Sequence, residues 1–318
     1  MSRRAVAFLF PGQGSQSPGM GRLMAGAFAE ARQVFEEADA VLGFELSRIC
    51  FEGPEERLRL TEITQPALLA TSIACERVLR AREVEPRWVA GHSLGEYSAL
   101  VSAGGLTFAD ALRLVHRRGR YMQEAVPVGA GAMAAILGLA ADSVEALCAE
   151  EGRGEVLSAA NFNSPEQIVI AGTAAAVARA VAAAPARGAR RAIPLAVSAP
   201  FHCELMRPAA DRLAADLTET AFADLMCPLI ANVDSRPLRE GKEARESLLR
   251  QVTAPVRWEA CVREAVRLGA ETLVEVGPGR VLSGLARRIA PQAQMVNVED
   301  PASLEKALGV LPERGETA

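Results

Sequence analysis

Several features are scarce in this 318-residue chain, and each scarcity removes a class of function. Charge is close to balance: 35 Lys and Arg stand against 39 Asp and Glu, a formal net charge of −4, so no basic footprint for nucleic acid is present. No window holds the roughly 18 uninterrupted apolar residues that span a bilayer. The amino-terminal apolar run stops at Phe10 and meets Pro11-Gly12, too short for a secretory apolar region with its cleavage site. The six cysteines (Cys50, Cys75, Cys148, Cys203, Cys227, Cys261) are scattered and form no C-x-x-C pair. They read as buried thiols in a reducing cytoplasm, not as a disulfide framework or a zinc site. The expectation is a cytoplasmic protein with no metal, no nucleic-acid partner and no membrane association. Histidine is scarcest of all, with three, which makes elimination possible.

What is present is a globular composition. Half the residues are apolar and 23% are charged, over a length that suits one large domain or a large and a small one. Residues 5–10 form a continuous apolar strand, as in a parallel sheet buried on both faces. Helical patterns follow near 24–40 and 66–82, the second with Pro66 at its first position. A short strand at 88–90 feeds a glycine-flanked turn, then a helix runs through Tyr97 to Gly104-Gly105. Strands alternating with helices predict an α/β fold with a largely parallel sheet. From 128 to 198 the character changes: strand 132–139, helix 142–150, strands 155–161 and 167–171, helix 174–184, strand 192–197. That β-α-β-β-α-β order is the split, ferredoxin-like arrangement and reads as an insertion. The chain therefore divides into a large unit (1–127 and 199–318) and a small one (128–198). Helix 208–217 and strands 229–233 and 272–276 complete the large unit.

The turn is Gly91-His92-Ser93-Leu94-Gly95, a G-x-S-x-G pattern in which a Cβ at either glycine would strike neighbouring backbone while the serine is pushed to the tip. Such a serine can be a nucleophile, but its hydroxyl needs a general base. His92 adjoins it on a tight turn and points elsewhere. His116 lies in a helix among Arg113, Arg117 and Arg120, off the apolar arc, as an exposed surface residue would. His202, in the loop Ser198-Ala199-Pro200-Phe201-His202-Cys203, remains as the candidate base, with a capping or core role as its alternative. No carboxylate between Ser93 and His202 stands out as a third member; a backbone carbonyl can hold the imidazole tautomer instead.

An oxyanion site needs two converging N–H groups. Leu94, directly after the serine, offers one. The loop Phe10-Pro11-Gly12-Gln13-Gly14-Ser15-Gln16, after the first strand, offers Gln13 as the other. A phosphate cradle is the rival, although the glycine spacing fits neither nucleotide-binding pattern. In the helix Phe108–Glu124, capped by Thr107 and Asp110, the residues Phe108, Ala111, Leu112, Leu114, Val115, Gly119 and Met122 share one arc. Arg118 is the one charge inside it. It is either half of a structural salt bridge or a clamp on a substrate carboxylate.

With these motifs in order, the chain resembles the malonyl-CoA:acyl carrier protein transacylase family over nearly its whole length. The resemblance rests on the 10–16 loop, Thr64-Gln65-Pro66-Ala67-Leu68, the run from Gly91 through Leu100, Arg118-Gly119 and Gly131-Ala132-Met133-Ala134. It continues in Asn161-Phe162-Asn163-Ser164-Pro165, Pro200-Phe201-His202 and Glu275-Val276-Gly277-Pro278-Gly279. It implies an α/β-hydrolase-like parallel-sheet domain with an inserted ferredoxin-like small domain and the active site between them. It further implies Ser93 as nucleophile, His202 as base, Gln13 and Leu94 as oxyanion donors and Arg118 on the malonyl carboxylate. The Gln251 carbonyl would orient the histidine, and Met122, Asn163 and Phe201 would border the substrate pocket. In related polyketide acyltransferases a phenylalanine at the Phe201 position accompanies malonyl selection and a serine methylmalonyl, although stand-alone transacylases carry either.

The implied activity is ping-pong transfer of malonyl from malonyl-CoA to the phosphopantetheine thiol of acyl carrier protein, for fatty-acid synthesis. No bound cofactor is implied, and the chain is read as a monomer. The rivals are a trans-acting transferase of a polyketide assembly line, a thioesterase on the same fold, and a carrier-binding relic without activity. Carrier proteins of this pathway are acidic, so Arg117 and Arg120, the run 187–191, and Arg287-Arg288 are docking candidates among which the sequence does not choose.

Overall fold

The computed structural model of the chain describes residues 5–197 and 199–311. Ser198, which opens the loop that carries His202, and the outermost residues of the large unit fall outside that range. The strands are β1 (Val6–Phe10), β2 (Trp88–Gly91), β3 (Gly131–Leu137), β4 (Leu157–Ser164), β5 (Gln167–Thr173), β6 (Arg191–Pro194), β7 (Leu229–Ile230), β8 (Pro237–Leu238), β9 (Thr272–Val276) and β10 (Gln294–Val298). The first seven helices are α1 (Arg22–Ala27), α2 (Ala29–Leu42), α3 (Leu46–Glu52), α4 (Glu55–Leu58), α5 (Thr61–Arg80), α6 (Gly95–Ser102) and α7 (Phe108–Glu124). The others are α8 (Ala141–Gly152), α9 (Ala174–Ala183), α10 (Arg207–Glu219), α11 (Gly241–Gln251), α12 (Trp258–Arg267), α13 (Val281–Ile289) and α14 (Pro301–Leu308).

The larger sheet has the order β10-β9-β1-β2-β7-β8, parallel except for β8, which runs against β7. Its central strand, β1, is buried at every position because both faces are covered. Val6, Phe8 and Phe10 enter the core built with α2 and α5, whereas Ala7 and Leu9 enter a second core with Trp258 of α12 and Leu282 of α13. The two-residue alternation of a strand produces this division, so the absence of polar residues in β1 follows from its position.

Residues 131–194 build a separate antiparallel sheet, β4-β5-β3-β6, in the predicted β-α-β-β-α-β succession. Alternation again separates its faces. Ala134, Ile136, Ile168 and Ile170 pack with Val144 and Leu147 of α8 and Val177 of α9. Met133, Ala135, Val169 and Ala171 face the opposite way, into the core shared with the larger sheet. Backbone hydrogen bonds tie β4 to the segment after α11: Val256 N–H donates to the Ala160 carbonyl and Phe162 N–H to that of Val256, each at 2.9 Å.

Some expectations need correction. The helix predicted from Pro66 begins at Thr61, with proline inside it. The nearby Leu60 carbonyl accepts from the amides of Ile63 and Thr64, so the helix is nucleated before the proline and loses only the bond proline cannot make. The pattern at 24–40 is two helices, broken at Phe28, whose extended backbone (φ −130°, ψ 128°) separates them. His116 is half-buried, its ring 5.8 Å from that of Phe44. The strand predicted over 229–233 is two residues long before the chain turns back into β8.

Candidate active site

The serine turn is built by close backbone approach. A Cβ on Gly91 would lie 1.9 Å from the Gly95 carbonyl carbon and oxygen, one on Gly95 2.1 Å from the Phe10 carbonyl oxygen, and one on Gly12 2.4 Å from that of His92. Glycines therefore let β2, the start of α6 and the loop after β1 converge. Ser93 itself sits at φ 53°, a left-handed conformation that costs a β-carbon residue on the order of 1–3 kcal/mol. Asn232 holds it there: its Oδ1 accepts from the Ser93 amide and its Nδ2 donates to the Gly91 carbonyl, both at 2.7 Å. Sequence reading passed over Asn232, since a lone asparagine after a short strand carries no local signal.

Ser93 Oγ lies 2.7 Å from His202 Nε2, and His202 Nδ1 lies 2.9 Å from the carbonyl oxygen of Gln251. Gln251 is the last residue of α11, where carbonyls lack helical partners, and Pro255, four residues on, has no N–H to offer. The carbonyl is thus free to accept Nδ1–H, which fixes the tautomer and leaves Nε2 as the acceptor facing Ser93. Burial, aided by the nearby positive charge of Arg118, pushes the His202 imidazole down to about 3, against a weaker opposing effect of the Gln251 bond. The ring is neutral over ordinary pH. His92 points away from the hydroxyl: its Nε2 is 2.8 Å from Asn163 Oδ1 and its ring packs on Trp258.

Arg118 is 2% exposed, on the apolar face of α7. Among the described residues its hydrogen bonds all reach uncharged groups: Nη1 donates to Gln65 Oε1 at 2.8 Å, and Nη2 to Gln251 Oε1 at 2.9 Å and to Ser93 Oγ at 3.2 Å. Nε is buried with no hydrogen-bond partner among the described residues. The guanidinium carbon stands 5.5 Å from the centre of the Tyr97 ring. Among the described residues no carboxylate forms an ion pair with it, which removes the salt-bridge alternative. An anion entering from outside the protein would find a desolvated cation whose Nη2 stands 3.2 Å from the serine hydroxyl.

These groups line a cleft of about 210 Å³ between the two sheets. Gly12, Gln13, Ser93, Leu94, Arg118 and Met122 form one wall; Met133, Ala135, Asn161, Asn163 and Val169 of the small sheet form the other. Phe201 and His202 also border it. Leu94, buried, immediately precedes α6, so its amide belongs to the unpaired amino end of that helix. Gln13 lies in the loop after β1, its Nε2 3.4 Å from Thr61 Oγ1. Met122 Sδ accepts from Gln65 Nε2 at 3.8 Å. Ser93, His202, Gln13, Leu94, Arg118, Met122, Asn163 and Phe201 all line the cleft, and Gln251 meets the histidine beside it.

One buried acid escaped the sequence reading. Glu96, three residues after Ser93 in α6, is fully buried, and burial raises its carboxyl to about 7. It accepts from Gln251 Nε2 at 2.8 Å and from the Asn232 amide at 3.1 Å. Its signal was its position on the turn, but helix geometry sends it behind the serine instead of toward the histidine.

The basic candidates for docking also separate. Arg117 pairs with Asp216, Arg120 with Glu124, Arg187 with Glu150 and Arg190 with Glu166. Arg191 on β6 and Arg287 and Arg288 on α13 are exposed with no ion pair among the described residues; of these elements α13 reaches the site, its Val281, Leu282 and Leu285 lining the cleft.

Comparison with known proteins agrees with this geometry. The acyl transferase domain pattern matches residues 7–306. The chain belongs to the acyl transferase family. It is 49% identical over 303 residues to the malonyl CoA-acyl carrier protein transacylase of Escherichia coli K12, covering 95% of this chain and 98% of that one. Identity to the Bacillus subtilis 168 protein of the same name is 45% over 314 residues, covering 98% and 99%. Among solved structures, an acyl carrier protein S-malonyltransferase from Vibrio cholerae superposes with a TM-score of 0.93 at 48% identity, covering 95% and 99%. A malonyl-transacylase solved in complex with a type II polyketide acyl-carrier protein gives 0.94 at 49% identity, covering 96% and 99%. No described helix is long and apolar enough to cross a membrane.

Proposed function

We propose that this acyltransferase carries malonyl from malonyl-CoA to the phosphopantetheine thiol of an acyl carrier protein through a malonyl ester on Ser93, in fatty-acid synthesis. The observation that carries the reading is the buried Arg118 guanidinium, in no ion pair among the described residues and 3.2 Å from Ser93 Oγ. An acyl group whose far end is a carboxylate supplies the missing anion at the distance of a three-carbon chain. The relatives named malonyl CoA-acyl carrier protein transacylase and the neighbour bound to a carrier protein support both the donor and the acceptor.

In this mechanism Ser93 Oγ attacks the thioester carbonyl carbon while His202 Nε2 takes its proton. The amides of Gln13 and Leu94 stabilise the resulting oxyanion, Leu94 with the added field of the α6 amino end. The carbon–sulfur bond breaks, the imidazolium returns its proton to the departing sulfur, and malonyl-Ser93 remains. The carrier thiol then gives its proton to His202 and attacks the ester carbonyl; the carbon–Oγ bond breaks and the imidazolium returns the proton to Ser93 Oγ. The substrate carboxylate also offsets the Arg118 charge that holds the His202 imidazole low, so a malonyl donor strengthens the base that activates its own nucleophile. Met122, Asn163 and Phe201 border the acyl pocket. The architecture is read as a hydrolase-like domain (1–127 and 199–318) holding a ferredoxin-like insertion (128–198), with a cytoplasmic, monomeric protein as the working unit.

Mixing the enzyme with malonyl-CoA, then with holo or apo carrier protein, and weighing both intact proteins tests the proposal. A malonyl adduct lost in Ser93→Ala and moved to the holo carrier alone is expected. Rapid release of free malonate without any carrier would replace the reading by a thioesterase.

A further inference from the structure

Gln251 touches the histidine, the arginine and the backbone of the serine turn. Its carbonyl accepts from His202 Nδ1, its Oε1 accepts from Arg118 Nη2, and its Nε2 donates to the Ser93 carbonyl at 3.0 Å and to Glu96 Oε2 at 2.8 Å. An amide side chain can turn end for end at little cost in shape, and only its surroundings decide which end is oxygen. Turned over, the Gln251 amide would place N–H groups against the guanidinium, two donors facing each other in a buried site, and Arg118 would lose an acceptor. Glu96, the nearer of the two acceptors at 2.8 Å, opposes that reversal together with the Ser93 carbonyl, because the reversed amide would set its oxygen against theirs. The carboxylate is itself held: Asn232 N–H donates to Oε2, and Ser247 Oγ lies 3.4 Å from Oε1. No cation pairs with it directly among the described residues.

We infer that Glu96 is a positioning residue for substrate selection: by fixing the direction of the Gln251 amide, it aims Arg118 at the substrate carboxylate. The inference rests on the reading of Arg118 as the carboxylate clamp. It acts through hydrogen-bond acceptance, so a glutamine in its place, with its oxygen toward Gln251 and its amide toward Ser247 Oγ, keeps the arrangement. An alanine does not.

The test compares transfer of malonyl and acetyl groups from their CoA thioesters by wild type, Glu96→Gln, Glu96→Ala and Gln251→Leu. The wild-type malonyl preference and its loss in Arg118→Ala are measured first; their absence would sink the clamp reading and this inference with it, whereas a failure confined to the Glu96 and Gln251 variants would sink the inference alone. With the clamp established, Glu96→Ala should lose about tenfold in malonyl-over-acetyl preference, mostly through KM for malonyl-CoA, as loss of one hydrogen bond to a charged group implies. Gln251→Leu, which retains the backbone carbonyl behind His202, should lose as much, and the double variant no more than either alone. Glu96→Gln should stay near wild type. Equal decline of malonyl and acetyl transfer in Glu96→Ala, or a Glu96→Gln as unselective as the alanine variant, would overturn the inference. Should Glu96→Ala fail to fold, Glu96→Gln and Gln251→Leu carry the same opposed expectations.

Discussion

The two walls of the cleft are built on different principles. On the large-sheet wall, Ser93, His202, Arg118, Gln251, Asn232 and Glu96 form one buried network in which distances of 2.7–3.2 Å recur and the backbone at Ser93 and His202 adopts positive φ. The small-sheet wall is mainly apolar, Met133, Ala135 and Val169, with asparagines on β4 where its pairing with β5 shifts register, and none of these residues has a positive φ. Polar networks in a desolvated site lose much when one member is removed, because the rest are left unpaired, whereas an apolar wall loses contact area in small steps. Chemistry and selection therefore concentrate on one side, and shape on the other.

Three substitutions probe that contrast, in falling order of effect. His202→Ala removes the proton acceptor and should slow acylation of Ser93 by about a hundred- to ten-thousandfold, read by rapid-quench mass analysis. A modest effect would place the base elsewhere. Arg118→Ala should shift the pH profile: removing the positive charge raises His202, which must be neutral to act, so loss of activity with acidification begins at higher pH than in wild type. The profile is best taken with acetyl-CoA, whose binding does not use the clamp; an unmoved acidic limb would refute the electrostatic link. On the other wall, Asn163→Ala strands His92 Nε2 and should cost about 1–3 kcal/mol in urea unfolding. Its effect on acylation should be far smaller than that of His202→Ala, and an equal loss would erase the distinction between the walls.

How far the sequence foretold this arrangement depends on the range of the forces involved. The helix over Phe108–Glu124 agrees with the structure to the residue, because a Thr107 cap and a 3.6-residue apolar arc are local signals, and Arg118 stood out as the charge that broke the arc. The glycines of the serine turn were legible for the same reason. Edge elements such as β8, two residues long, carried no pattern and were missed. Glu96 and Asn232 were missed because their roles depend on partners 136 or more residues away. Gln251 entered through family resemblance alone; its own segment looks like any polar helix end, and only the fold reveals that its free carbonyl meets a histidine.

The central claim is that a buried guanidinium in no ion pair among the described residues selects the acyl group. It is tested most directly by the ratio of malonyl to acetyl transfer in wild type and Arg118→Ala, measured on the same carrier protein. The account predicts a roughly ten- to hundredfold fall in that ratio, through loss of malonyl transfer while acetyl transfer persists. An unchanged ratio would contradict it.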